Sequence, residues 1–370
     1  MTHPVGFVHD WLTGQRGGEH VLRELGRLFP AAPIYTLFHF EGSVDPEIER
    51  HPIVTSFLQG APGLARHYRW YLPIFPLAID RLDVSRHELV VSTSHCVAKS
   101  ARRAPGAWHL CYCHTPMRYA WDQEEAYFGR GHGPLAALRR AILARLRRWD
   151  AATAGRVDHY VANSSFVASR IARFYGRQAT VVPPPVDTAF FTPPAAEPER
   201  AYILMVASLS PYKKVDLAIQ ACEAANVPLR IVGEGPERSR LERLAHGRTR
   251  LLGRVSADDL RELYRNAICF LQPGVEDFGI AAVEALACGT PVVALGEGGV
   301  LDIVRDGVEG VLFRRDNPAE IASAIDNCRR IQSNSLNLRE RADSFSAERF
   351  ARRLRKLLVS DWPNAESYIS

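Results

Sequence analysis

The second half of the chain alternates short apolar runs with helix-like segments, and this alternation most strongly constrains its fold. Apolar runs suited to strands occur at residues 202–207, 229–232, 250–252, 268–271, 292–294 and 310–313. Helix-like segments at 215–225, 236–245, 257–267 and 280–288 lie among them. Such short connections between alternating strands and helices are typical of a parallel, doubly wound α/β sheet.

The first half shows the same alternation less regularly. Strand candidates lie at 6–10, 34–37, 89–91, 110–113, 160–162 and 180–182, whereas the aromatic, proline-interrupted stretch 52–76 suggests no regular form. The stretch VVPPPVDTAFFTPPAAEPER is rich in proline, which joins neither helices nor sheet ladders. We therefore expect a Rossmann-like domain at 1–196, a second one at 197–345 and a C-terminal helical segment at 346–370 that packs back on the first domain.

Composition limits the class of protein. A chain of 370 residues that is 46% hydrophobic and 24% charged suits two soluble domains of ordinary size. We expect a cytoplasmic location, because there is no apolar run of roughly 18 residues and no leader pattern. The seven scattered cysteines predict buried free thiols. The group Cys111, Cys113 and His114 has no second ligand pair, so no metal site is predicted.

The basic residues of the first half leave two interpretations open. LRRAILARLRRWD carries five arginines among leucine and isoleucine, which suits either a solvated helix face or a surface for anionic lipid. The segment LARHYRWYLPIFP is either unusual core packing or part of a surface for a lipid or a large acceptor. No stacking-aromatic motif accompanies the basic residues, so nucleic acid is not an expected partner.

Unusual residues stand at the ends of the second-half strands. Lys213 and Lys214 precede a helix, where a cation opposes the helix dipole unless an anion lies there. In PGVEDFGIAAVEALACG, Gly279 begins a helix whose N–H groups suit a phosphate. Glu276 precedes that helix and could cap it, and Glu284 lies on the helix among apolar residues, where it could instead face solvent. We predict that both carboxylates accept hydrogen bonds from hydroxyls of a ligand, because burying a carboxylate without partners is costly.

Several motifs together resemble glycosyltransferase family 4, the retaining, nucleotide-sugar-dependent group with the GT-B fold. They are SPYKK, GEGPE and the run from Glu276 through EALACGTPVVA. HDWLTGQRGGEHVL, CYCHTPMRYAWD, VANSSFVASRI and VVPPPVDTAFF are similar to the bacterial O-antigen and exopolysaccharide mannosyltransferase branch. The resemblance implies two Rossmann-like domains facing a central cleft. It also implies GDP-mannose as donor substrate, with no cofactor or metal besides it.

The resemblance also implies a role for each matching residue. Glu276 would hold donor-sugar hydroxyls, Glu284 the ribose, and Lys213 the diphosphate leaving group, while His114 would lie near the donor sugar unless it is a core histidine. The implied donor-binding set is completed by Gly17, Gly18, Ser208, Lys214, Gly233, Gly235, Arg254, Val255, Phe278, Gly279 and Ile280. Ser208 stands where the family usually has arginine, so Lys214 or Arg16 is expected to supply the second phosphate-binding cation.

The predicted reaction is hexosyl transfer, with the retention that the resemblance implies. It is expected to be metal-independent, because no Asp-x-Asp triplet occurs and Lys213 can neutralise the departing diphosphate. No carboxylate nucleophile is evident, which favours front-face attack. The acceptor is expected to be a glycan or a lipid-linked glycan in bacterial surface polysaccharide synthesis. A UDP-sugar donor and a non-catalytic nucleotide-sugar-binding protein stay open as alternatives. A nicotinamide oxidoreductase is disfavoured, because GEGPER lacks the third glycine of the dinucleotide fingerprint.

Overall fold

The computed structural model describes residues 3–122, 124, 129, 133–331, 334–362, 364, 365 and 368. The chain forms two compact units: unit 1 contains residues 1–185 and 350–370, and unit 2 contains residues 186–349. Residues 186–196, which the proline pattern assigned to the first domain, therefore lie in unit 2. The reason is that Val186 and Phe191 are buried in the unit 2 core, and Val186 N–H donates to the Phe345 carbonyl at 3.0 Å.

Unit 1 is built on a parallel sheet. Within its described residues the strands are β1 Val5–His9, β2 Ile34–Thr36, β3 Ile53–Thr55, β4 Leu89–Ser94, β5 Trp108–Cys113, β6 His159–Ala162 and β7 Ala179–Val181. Their spatial order is β3-β2-β1-β4-β5-β6-β7. The order reverses between β1 and β4, which are paired from Val5 with Leu89 to His9 with Thr93. Ligands of such sheets bind beyond the carboxyl ends of the strands at this switch point.

Helices cover the unit 1 sheet. They are α1 Gly17–Leu28, α2 Pro46–Glu49, α3 Leu64–His67, α4 Phe75–Asp80, α5 Arg118–Trp121, α6 Pro134–Ala152 and α7 Ser165–Tyr175. The stretch 52–76, to which no regular form was assigned, contains β3, α3, the start of α4 and two 3-10 turns, Phe57–Gly60 and Tyr68–Ile74. Each of these pieces is short, so none produces a recognisable hydrophobic period.

Unit 2 has the same architecture with a different set of strands. Its described strands are β8 Tyr202–Val206, β9 Leu229–Val232, β10 Thr249–Gly253, β11 Ala267–Gln272, β12 Val292–Leu295 and β13 Gly310–Phe313, in the parallel order β10-β9-β8-β11-β12-β13. The helices are α8 Val215–Ala224, α9 Arg238–Leu244, α10 Ala257–Arg265, α11 Ile280–Ala287, α12 Pro318–Arg330 and α13 Ser335–Asp343. Here the switch point lies between β8 and β11.

The C-terminal segment forms helix α14, Ala347–Asp361. Its apolar face contributes Phe350, Leu354 and Leu358 to the same core as Phe7 of β1. The Phe350 ring meets Tyr112 of β5 edge-on, with the centroids 5.9 Å apart. Helix α14 thus contributes to the core of unit 1.

Two further findings bear on expectations from composition. All seven cysteines, each among the described residues, are buried and free, which confirms the free-thiol interpretation. In the part of the chain that the structure describes, none of the helices is both long enough and apolar enough to span a bilayer.

Candidate functional site

An ion pair joins two loops at the carboxyl edge of the unit 2 sheet. Lys213 ends a 3-10 turn that follows β8, and Glu276 lies in the loop that follows β11. The Lys213 Nζ contacts the Glu276 Oε1. Lys213 is only 9% exposed, so its ammonium group is held largely away from water. The pair therefore lies at the switch point of the sheet, where this class of sheet binds ligands.

Gly274 explains how the two loops come together. A Cβ at Gly274 would lie 2.6 Å from the Tyr212 carbonyl oxygen and 2.9 Å from the Lys213 Cα. Contacts this short are not tolerated, so only glycine lets the loop after β11 lie against the turn that carries Lys213. The sequence prediction identified Lys213 and Glu276 but did not include Gly274.

The loop after β11 turns into α11 at Gly279, whose φ of 109° is a conformation that favours glycine. Phe278 anchors the turn, because it is buried and packs edge-on against Phe345 at 5.6 Å. Ile280, the first helical residue, packs against the same core. The start of α11 is thereby fixed with its N–H groups at the carboxyl edge of the sheet, which is a suitable position for a phosphate.

A second glycine turn supports the loop that carries Glu276. The Gly299 N–H donates to the Glu276 carbonyl oxygen at 2.9 Å. A Cβ at Gly298 would lie 2.5 Å from that oxygen, and a Cβ at Gly299 would lie 2.4 Å from the Asp277 carbonyl oxygen. Sequence reasoning missed this turn, although its signal, GEGG directly after a strand, is visible in the sequence.

Glu284 lies on α11, where it is partly buried. The Tyr264 hydroxyl donates to its Oε2 at 2.8 Å. Burial raises the pKa of Glu284 to about 7, while the Tyr264 hydrogen bond acts in the opposite direction. Glu284 is thus about half protonated near neutral pH, and a ligand that donates hydrogen bonds would favour its ionised form.

The structure places Lys214 differently from Lys213. Lys214 adopts the left-handed conformation at the start of α8, with φ of 53°, and its Nζ contacts the Asp316 Oδ2. The anions that compensate the two lysines are thus protein carboxylates, Glu276 for Lys213 and Asp316 for Lys214. Ser208, in the preceding loop, is exposed and has no cationic side chain to offer.

Packing of the backbone explains why residues 233 and 235 are glycines. A Cβ at Gly233 would lie 1.9 Å from the Ala207 carbonyl oxygen, and one at Gly235 would lie 2.5 Å from the Leu209 carbonyl oxygen. Both glycines therefore let the loop after β9 lie against the loop after β8. Their approach to a ligand, and the role of exposed Arg254 and partly buried Val255 after β10, stay predictions.

In unit 1, the switch point is organised by the buried carboxylate of Asp10, directly after β1. Its two oxygens accept hydrogen bonds from the backbone N–H groups of His95, Cys96, Val97 and Ala98, at 2.6–2.9 Å. Asp10 thus fixes the loop after β4. Sequence reasoning did not single out this aspartate, although it lies in the predicted strand 6–10 and in the motif HDWLTGQRGGEHVL.

Helix α1 begins beside this loop. Gly17 is its first residue, and the Glu19 carboxylate accepts a hydrogen bond from the Arg16 N–H at 2.9 Å, which closes the first turn. The other oxygen of Glu19 lies 3.7 Å from the Nε2 of His9, whose Nδ1 is 2.6 Å from the Thr93 hydroxyl. Burial raises the pKa of Glu19, but its interactions with His9, a backbone hydrogen bond and the charge of His95 together leave that pKa below its ordinary value.

His114 follows β5 and lies against Gly18. A Cβ at Gly18 would be 3.3 Å from the His114 Nε2, so glycine leaves room for the ring. That nitrogen is buried and finds no hydrogen-bond partner within the described part of the chain. Burial lowers the pKa of His114 to about 3, which keeps the imidazole neutral. A buried ring nitrogen without a partner distinguishes His114 from a satisfied core histidine.

Comparison with known proteins identifies the chain. Residues 15–190 match the family described as Glycosyltransferase Family 4, and residues 187–345 match Glycosyl transferases group 1. A D-inositol 3-phosphate glycosyltransferase of Acidothermus cellulolyticus is 31% identical over 315 residues, covering 72% of this chain and 68% of the relative. The chain therefore belongs to the glycosyltransferases that combine a Glycosyltransferase Family 4 domain with a Glycosyl transferases group 1 domain.

Other relatives of this glycosyltransferase chain are matched over shorter segments. The D-inositol 3-phosphate glycosyltransferase of Geodermatophilus obscurus is 36% identical over 227 residues, which are 52% of this chain and 50% of that protein. The chain therefore spans between half and about two thirds of the length of these two relatives.

Solved structures confirm the fold class. The HepE protein of Anabaena, in a complex with UDP and glucose, matches with a TM-score of 0.70 at 17% identity, over 96% of this chain and 99% of its own. Sucrose-phosphate synthase from Thermosynechococcus elongatus matches with a TM-score of 0.71 at 18% identity, over 96% and 98%. Two parallel-sheet α/β units of the GT-B type are thus the fold of this glycosyltransferase.

Proposed function

We propose that this chain transfers a glycosyl group from a nucleoside diphosphate sugar to a hydroxyl acceptor. The observation that carries the proposal is the nearly buried ammonium of Lys213 beside Glu276 at the switch point of unit 2. A diphosphate leaving group develops negative charge, which a desolvated cation and a helix N-terminus stabilise best. Membership of the glycosyltransferase family supports the same reaction.

Each group in unit 2 has a distinct task in this proposal. Lys213 and the N–H groups at the start of α11, from Phe278 to Ile280, bind the diphosphate. Glu276 accepts hydrogen bonds from hydroxyls of the transferred sugar, and Glu284 from those of the ribose. In unit 1, the neutral imidazole of His114 is assigned to the donor sugar from the family resemblance, with Gly17 and Gly18 at the phosphates.

We further propose metal-independent transfer with retention at the anomeric carbon. The sequence has no Asp-x-Asp triplet to hold a metal-bound diphosphate, and Lys213 supplies positive charge in its place. The Glu276 carboxylate contacts Lys213, and its carbonyl oxygen accepts a hydrogen bond from the Gly299 N–H, so we assign this fixed carboxylate to binding of hydroxyls and not to nucleophilic attack. Front-face attack, guided by the leaving phosphate, is the mechanism that these roles support.

GDP-mannose is the proposed donor, on the resemblance to the mannosyltransferase branch. A UDP-sugar is the second candidate, because the HepE neighbour was solved with UDP and glucose and, in another structure, with UDP-glucose. Arg254 and Val255, after β10, are the residues assigned to the base. Calorimetric titration of GDP and of UDP separates the two candidates, and tighter binding of UDP would overturn the proposal of GDP-mannose.

The proposed acceptor is a glycan or lipid-linked glycan at the inner face of a membrane. Exposed apolar side chains in unit 1 support contact with lipid: Trp70 is 77% exposed, and Ile74 and Leu77 are also exposed. No acidic residue occurs from Ser56 to Ile79, whereas Arg66 and Arg69 are exposed. Changing both arginines to glutamate should abolish co-sedimentation with phosphatidylglycerol vesicles, and unchanged binding would refute the contact.

The reaction itself is tested by following release of the sugar from GDP-mannose and from UDP-glucose. Activity with at least one donor should persist in EDTA. Glu276→Ala should reduce it by about 100-fold or more, because hydroxyl contacts in the transition state are lost. Full activity in Glu276→Ala would refute the assigned role, and absence of both activity and nucleotide binding in the wild type would refute the function.

A further inference from the structure

Three histidines stand at the carboxyl ends of neighbouring strands in unit 1. His9 ends β1, His95 follows β4 and His114 follows β5. The strand register brings them side by side, because His9 pairs with Thr93 and Ser94 pairs with Cys113. His95 belongs to neither the family resemblance nor the predicted site, so its task is open.

His95 is held by Asp10 and is partly exposed. Its Nδ1 lies 3.1 Å from the Asp10 Oδ2, and its side chain is 31% exposed whereas Asp10 is fully buried. The Trp11 ring packs edge-on against the imidazole, with the centroids 4.5 Å apart. No group in the described part of the chain forms a hydrogen bond with the His95 Nε2. A carboxylate beside Nδ1 favours the proton on that nitrogen, which leaves a lone pair on Nε2.

The surroundings of His95 favour a neutral, hydroxyl-bearing ligand. Asp10, a buried carboxylate, lies beside the Nδ1 of His95, and the nearby His114 imidazole is neutral, so the lone pair on the His95 Nε2 can accept a hydrogen bond from a hydroxyl group. The Nε2 atoms of His9 and His114 are buried without a hydrogen-bond partner among the described residues. The His9 nitrogen faces the Glu19 carboxylate at 3.7 Å, whereas the His114 nitrogen, at the end of the strand next to that of His95, is a buried polar atom that suits a ligand able to supply a hydrogen bond.

We propose that His95, positioned by Asp10, binds a hydroxyl group of the glycosyl acceptor through its Nε2. The inference rests on the proposed glycosyl transfer and adds an acceptor-binding residue to it. Asp10 acts as a positioning residue, because it holds both the imidazole and the backbone of residues 95–98. A sugar or other polyol is the class of acceptor that this neutral hydrogen-bond acceptor suits.

His95→Asn is the informative variant. The asparagine amide can still donate to Asp10 from near the Nδ1 position, but it places no atom where Nε2 lies. His159→Asn is the matched control, because His159 also pairs through Nδ1 with a carboxylate, Asp361 at 2.7 Å, and is 27% exposed. His159 lies at the opposite, amino end of its strand, β6.

The measurement is glycoside formation on octyl α-D-mannopyranoside with the donor saturating. His95→Asn should raise the KM for this acceptor about tenfold, as expected for one lost hydrogen bond, and leave calorimetric binding of the nucleotide unchanged. His159→Asn should change neither. An unaltered acceptor KM in His95→Asn, or no glycoside formed by a wild type that releases sugar to water, would overturn the inference. A wild type that binds no nucleotide would refute the proposed function instead.

Nitrogen-15 NMR of the wild-type histidines tests the inference even if His95→Asn does not fold. At pH 7.5 His95 should show a protonated Nδ1 and an unprotonated Nε2. Octyl α-D-mannopyranoside should shift the Nε2 resonance and leave that of His159 in place. A protonated Nε2, or an Nε2 resonance that does not respond to the acceptor, would contradict the proposal.

Discussion

Lys213 and Glu276, 63 residues apart in sequence, form an ion pair between the loops that follow β8 and β11. Gly274 makes the contact possible, since any side chain there would collide with the backbone at Tyr212 and Lys213. The pair places a desolvated cation beside the start of α11. If Lys213 binds a diphosphate, replacing Lys213 should weaken nucleotide binding much more than replacing its neighbour Lys214.

Glu284 should couple nucleotide binding to proton release. Its pKa is about 7, so about half of the side chains carry a proton at pH 7. Ribose hydroxyls that donate to the carboxylate would favour its ionised form, and binding should release up to about half a proton. Calorimetry in two buffers of different ionisation enthalpy measures this number. Glu284→Gln should abolish the release, and equal release in both proteins would contradict the ribose assignment.

The same pKa has a consequence for stability. Folding raises the pKa of Glu284 from 4.5 to about 7, so protonation stabilises the folded chain. This contribution is complete below pH 4.5 and is lost as the pH rises through 7. Glu284→Gln should therefore lose less free energy of unfolding than the wild type between pH 5 and 8. Urea unfolding across that range measures the difference, and parallel curves would refute the raised pKa.

Gly233→Ala should destabilise unit 2 strongly. The new methyl would lie 1.9 Å from the Ala207 carbonyl oxygen, at a backbone φ of 136°. We expect a loss of about 3 kcal/mol or more in the free energy of unfolding. Gly247→Ala is the control, because its φ is 54° and nothing lies within 4 Å of its Cβ position. That variant should lose about 1 kcal/mol, and similar losses in both would contradict the packing role.

Asp150→Asn should destabilise unit 1. The fully buried Asp150 accepts hydrogen bonds from the Trp121 indole at 2.7 Å and the Tyr175 hydroxyl at 2.9 Å, and it lies 3.0 Å from the buried Lys99 Nζ. The amide leaves the lysine charge uncompensated, at a cost of about 3–5 kcal/mol. Tryptophan fluorescence reports the loss, because all six tryptophans lie in unit 1.

The control for Asp150→Asn is Glu47→Gln, the same exchange of acid for amide in a solvent-exposed ion pair. Glu47 pairs with Arg27 at 2.7 Å, and the two side chains are 38% and 49% exposed. Its loss should cost about 1 kcal/mol at most. Equal destabilisation by the two variants would show that burial of the Lys99–Asp150 pair does not matter.

The sequence predicted the fold class because unit 2 is locally consistent. Apolar runs at 268–271 and 292–294 correspond to β11 and β12, which extend by one or two residues beyond them. The three-residue strand β3 was missed because it is too short to show a period and lies at the edge of its sheet. The domain boundary was placed eleven residues late because proline marks where regular structure stops, whereas Val186 and Phe191 already pack in unit 2.

The site was predictable only where a residue type conflicts with its surroundings. Lys213, a lysine just before a helix, and Glu284, a glutamate within an apolar helix, can both be recognised from the sequence as unusual. That Lys214 pairs with Asp316, 102 residues away, depends on tertiary packing and leaves no local signal. His95 escaped notice for the same reason, since the carboxylate that holds it is 85 residues earlier in the chain.

The most direct test of the central claim compares Lys213→Met with Lys214→Met in calorimetric titrations with the preferred nucleoside diphosphate. Lys213 is nearly buried beside Glu276, whereas Lys214 is partly exposed and contacts Asp316. Lys213→Met should weaken binding about tenfold or more, because a charge-assisted hydrogen bond to the diphosphate is lost. Lys214→Met should change it by about threefold at most. Equal and small effects in the two variants would contradict a diphosphate site at Lys213.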